Sequence, residues 1–111
     1  MQEIKIATDF SRTPGGRHKK LGPASGEEFR GLLVRKLREN PREKFQIIFD
    51  GAEGYGSSFL EEAFGGLVRL GTLSKEDISE RLVLKAYSSD YQTYVDEAKQ
   101  YIHDAFLANK R

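Results

Sequence analysis

A chain of 111 residues is long enough for one domain with its own core and no cross-links. Hydrophobic residues make up 38% of it and cysteine is absent, so wholesale disorder is not expected and disulfide, thiolate and cysteine-zinc chemistry are excluded. The 18 basic and 17 acidic residues leave a net charge of +1, which gives no general attraction for nucleic acid.

The N-terminus, MQEIKIATDF, lacks a basic n-region followed by a long apolar run, so no signal peptide is read there. No apolar run approaches the roughly 20 residues that span a bilayer. A cytoplasmic protein with no membrane partner is the expectation. Ile4, Ile6 and their neighbours within Gln2–Phe10 alternate weakly and predict a first strand. Ser11 to Ala24 is rich in glycine and proline and reads as a loop; a short strand over His18–Leu21 could pair back onto the first. The loop is basic: Arg12, Arg17, Lys19 and Lys20 accompany His18, with no acid between Phe10 and Gly26.

Ser25 opens a helix with a capping box, Ser25 to Glu28, in which serine and glutamate each accept from an orphan N–H. Phe29, Leu32, Leu33 and Leu37 form its apolar stripe, Arg30, Arg35, Lys36 and Arg38 decorate it, and Asn40-Pro41 stops it. Phe45 to Phe49 is a short apolar run ended by Asp50-Gly51, the pattern of a central strand buried on both sides. A glycine-rich turn leads to a helix starting at Ser57 or Ser58, with Ser58 and Glu61 spaced as a capping box. Leu60, Ala63, Phe64, Leu67 and Val68 share one face of that helix, and Gly71 suits its C-terminus. Gly65-Gly66 should cost it about 0.5–1 kcal/mol per glycine, so close approach of another backbone is expected there. Thr72 to Glu80 predicts a short turn capped by Ser74, and Arg81–Tyr87 a further strand. Ser88-Ser89-Asp90 caps a last helix with Val95, Ala98, Ile102 and Ala105 inward, flanked by Tyr91, Tyr94 and Phe106.

The order β-α-β-α-β-α predicts one α/β domain over residues 1–111, with a small, largely parallel sheet of three or four strands and right-handed crossover helices. Two hydroxyls, Ser57 and Ser58, should stand where a helix N-terminus meets the end of the central strand. That place favours negative charge, and it is where such sheets put their sites.

Four blocks occur in order: D-F-S-x-x-P-G-G-R from Asp9, G-P-x-S-G-x-x-F-R from Gly22, I-I-F-D-G from Ile47 and G-S-S-F-L-E-E-A-F-G-G-L from Gly56. Together they resemble a STAS-like family of unknown function, a prokaryotic group related to anti-sigma-factor antagonists. The resemblance runs from about Ile4 to Leu70, and Arg81–Phe106 fits the remaining strand and helix. It implies a STAS-like topology and a non-enzymatic, partner-switching module. In the antagonists, a strand-end acid and a serine at a helix start form the site, and a histidine-kinase-type ATPase phosphorylates the serine. Asp50 matches the acid, and Ser57, then Ser58, matches the phosphoacceptor. Gly56 stands where the antagonists have aspartate and Phe59 where they have glycine. The implied partner, that ATPase or another regulatory protein, would dock on Gly54, Tyr55, Gly56, Phe59, Glu61 and Glu62.

The competing reading is capture of a nucleotide, a phosphate-bearing ligand or nucleic acid by loop 11–24. Arg12, Arg17, Lys19 and Lys20 would supply the charge, aided by free amides at Gly26-Glu27. Nucleic acid is the less expected ligand, because no aromatic residues interleave with the cations. No Ser-His-Asp arrangement and no phosphate-binding loop motif can be placed, so no enzyme and no catalytic residue is expected. Two histidines without cysteine make a metal site unexpected, and no cofactor is implied.

Overall fold

A computed structural model describes residues 1–109. Strands β1 (Gln2–Lys5), β2 (Phe45–Ile48) and β3 (Leu82–Lys85) form a parallel sheet in that spatial order. Ile4 faces Ile47, which in turn faces Leu84. No fourth strand forms among the described residues. β1 is shorter than its apolar pattern suggests. The chain coils at Ile6–Phe10 into one π-helical turn, where the Asp9 carboxylate accepts from the Lys5 N–H at 2.8 Å. The turn lays Phe10 on Phe29 and Phe59, with ring centroids 5.1 and 6.2 Å away. The expected strand at His18–Leu21 is a single 3-10 turn, Lys19–Leu21, with no sheet partner.

The helices are α1 (Gly26–Glu39), α2 (residues 57–70), α3 (Lys75–Arg81) and α4 (Ser89–Ala108). The Ser25–Glu28 box opens α1 as its sequence predicts: the Ser25 hydroxyl accepts from the Glu28 N–H at 3.1 Å and the carboxylate reciprocates. Ser74 and Ser88 cap α3 and α4. α2 runs through an α-helical turn Ser57–Leu60, a wider π-helical turn Glu61–Gly65 and a final α-helical turn Gly66–Leu70, then ends at Gly71 in the left-handed conformation, φ 72°. Arg81 locks the far end of the molecule, donating to the Leu37 and Asn40 carbonyls that α1 leaves unpaired.

α2 is the central helix and touches α1 and α4. From Phe59 to Val68 every residue but Glu61 is buried. Ile4, Phe45, Ile47, Leu82 and Leu84 on one sheet face join this core. On the other face Glu3, Lys5 and Val83 are exposed, and only Ile48 is buried. The central strand is therefore not covered on both sides. Its unbroken apolar run reads as if it were, because Ile48 alone fills the middle of the open face.

Candidate functional site

The loops that follow β1 and β2 run side by side at the C-terminal edge of the sheet, joined by a bond from the Glu53 N–H to the Arg12 carbonyl at 2.8 Å. Tyrosines fix the turn after β2. The Tyr55 hydroxyl donates to the Phe49 carbonyl at 2.6 Å, and the Tyr91 hydroxyl of α4 donates to the Ala52 carbonyl at 2.5 Å. Tyr94 meets the Tyr55 ring edge-on at 5.1 Å. Burial holds the Tyr55 phenol well above its ordinary pKa, so it stays a donor.

Ser57 and Ser58 are the first two residues of α2, and both are exposed. The Ser58–Glu61 capping box does not form. Gly56 occupies the cap position, the helix has no side-chain cap, and the Glu61 carboxylate is held by arginines instead. Ser57 lies against the Tyr101 phenol of α4, which donates to Glu97 at 2.8 Å. Asp50 is at the strand end as expected, and its two oxygens accept from the Tyr87 and Ser88 N–H groups at 2.9 Å each. It ties the exit of β2 to the entry of α4.

Three of the expected docking residues are interior. Tyr55, Phe59 and Glu62 are buried, the first two as members of the aromatic core. Gly54 and Glu61 are half-buried, and Gly56 is exposed with the serines. The exposed part of the expected docking surface is therefore narrower than the motif suggests, and the flank of α2 below the serines is covered.

An ion cluster covers it. Arg17, from the basic loop, places Nη1 at 2.7 Å from Glu61 Oε1 and 3.1 Å from Glu62 Oε1. Arg30 of α1 bonds the other Glu62 oxygen, and Arg69 binds Glu61 through both terminal guanidinium nitrogens. Arg69 first, then Arg17, holds the Glu61 carboxyl below its usual pKa. Glu61, then Glu62, raises that of Arg17. The glycine pair leaves room for this cluster. A Cβ on Gly65 would stand 2.5 Å from Glu61 Oε2, and one on Gly66 would stand 3.0 Å from Arg30 Nη1. Charged side chains, not another backbone, therefore occupy the space beside the pair. The close backbone approach to α2 lies at Gly26, where a Cβ would stand 2.5 Å from the Phe59 carbonyl oxygen.

The same contacts undo the anion cradle expected of the basic loop. The Gly26 and Glu27 amides donate to the loop's own Gly16 and Arg17 carbonyls at 2.9 and 3.0 Å. Arg17 turns inward, and His18 sits 3.6 Å from Glu27. Arg12, Lys19 and Lys20 stay exposed. Sequence reasoning missed Arg30, Arg69 and Tyr101. The one available signal was the glycine pair, which marks missing volume without saying what fills it.

Parallel strands, a covered central helix and an open helix N-terminus past the middle strand define a small α/β domain with its candidate site at the C-terminal edge of the sheet. The chain belongs to the family described as a STAS-like domain of unknown function (DUF4325), whose model matches residues 25–92. No curated protein and no solved structure matches it. No described helix is long and apolar enough to cross a membrane, and no group of three or more His, Asp or Glu gathers as a metal site among the described residues.

Proposed function

We propose that the chain is a non-enzymatic regulatory module of the anti-sigma-factor-antagonist type, which exchanges protein partners when a serine at the start of α2 is phosphorylated. The observation that carries this reading is the pair Ser57 and Ser58, both exposed on the first turn of a helix with no side-chain cap, just beyond the central strand. Kinases need such exposure, and the amides of the first turn favour a phosphate. A phosphate adds about −1.5 to −2 charges. At this surface it would repel acids of a docked partner and weaken docking. Ser57 is the preferred acceptor and Ser58 the second. The family resemblance supports a histidine-kinase-type ATPase, or another cytoplasmic regulatory protein, as the partner.

The test is a pull-down with the intact chain, followed by mass spectrometry for the partner and for phosphoserine. A regulatory ATPase and phosphate on Ser57 or Ser58 are expected. Phosphate only elsewhere in the chain contradicts the assignment.

A further inference from the structure

We propose that a second surface, the groove between α1 and the C-terminal end of α2, docks an acidic amphipathic peptide segment of a partner protein. The groove encloses about 570 Å³, within the range of roughly 300–1,000 Å³ common to ligand pockets. Arg30, Val34 and Arg38 recur every fourth residue on one side of α1, so they share one outer face. Leu70, half exposed at 50%, closes the groove from α2, and Val34 lies beside it. A Cβ on Gly31 would meet nothing within 4 Å, so the floor stays open at that point.

Charge settles the chemistry of the occupant. Lys19, Arg35 and Arg38 line the groove and make no ion pair among the described residues, while Arg30 points a nitrogen at Glu62. The two acids of the rim are Glu27 and Glu39. Glu27 is already engaged by the Lys19 N–H at 3.1 Å and by His18. An occupant therefore needs carboxylates for the rim and aliphatic side chains for Val34 and Leu70. A helix with both, laid along the groove, satisfies each. Nucleic acid offers the floor no row of aliphatic side chains, and no aromatic ring lines the groove to stack a base.

This surface is independent of the serine switch. Leu70 lies thirteen positions after Ser57 on α2, roughly 20 Å along a helix axis. The test is selection of a displayed library of random peptides on the wild-type protein, with counter-selection on the Arg35→Glu/Arg38→Glu double variant. Both arginines are exposed, so a matching far-UV spectrum and melting curve establish that the variant folds. Enriched peptides are expected to carry Asp or Glu around apolar residues at helical spacing. The double variant should bind them at least about tenfold more weakly, Leu70→Ser should also weaken them, and Ser57→Asp should change nothing. Failure to find any peptide that distinguishes wild type from the double variant overturns the proposal. So does equal or tighter binding of a thymidine oligonucleotide, which would assign the cations to nucleic acid.

Discussion

Arg17 and Glu61 stand 44 residues apart in sequence and meet at 2.7 Å, Nη1 to Oε1. This contact makes the glycine-rich loop part of the fold: the loop crosses to the central helix and seals its flank. Glu61 has a folded pKa below its ordinary value of 4.5. Its stabilising contribution is therefore complete above that pH and is lost as pH falls through the lowered value. Unfolding followed as pH falls below 4.5 should show this loss, and Glu61→Gln should remove part of it, on the order of 1 kcal/mol or less, because Arg17 and Arg69 are 33% and 44% exposed.

Glu62 is the more buried acid of the cluster, and Arg17 and Arg30 both bond it. Glu62→Ala strands the Arg30 guanidinium in a part-buried site, while Arg17 keeps its bond to Glu61. A loss of about 3 kcal/mol is expected, read as a lower urea midpoint with an unchanged slope.

Two glycines of α1 should respond in opposite directions to the same change. Gly26→Ala drives a methyl into the Phe59 carbonyl, where backbone must move, and overpacking of this kind costs about 1–3 kcal/mol. Gly31 is exposed and its Cβ would meet nothing, so Gly31→Ala should gain up to about 1 kcal/mol from helix propensity. Thermal melts of the two variants check both signs.

Asp50 accepts two backbone N–H groups across the β2–α4 junction. Asp50→Ala leaves both without that acceptor and should cost about 2 kcal/mol. Amide exchange at Tyr87 and Ser88 should accelerate, while the centre of α1 stays protected.

The strands, helix starts and core stripes were legible because each is a local pattern: period two, period 3.6, or a serine three residues before an acid. Ser25 and Glu28 kept that promise, but Ser58 and Glu61 did not. A capping box is a local preference, and Glu61 found two arginines that local spacing does not reveal, one of them 44 residues away. Arg17 was legible as a cation needing an anion, yet its anion is in the same chain. Tyr55 and Phe59 sit among motif residues that suggest a surface, and their burial follows from tertiary packing against Tyr94, Phe10 and Phe29. The open sheet face was hidden by Ile48, one apolar residue in a position that elsewhere carries Lys5 and Lys85.

The most direct test of the serine switch is a calorimetric titration of the ATPase recovered by pull-down into wild type, Ser57→Ala and Ser57→Asp. The alanine variant should bind as wild type does, and the aspartate variant should bind more weakly by at least about tenfold. Equal affinity for both variants would contradict a phosphoserine switch at the mouth of α2.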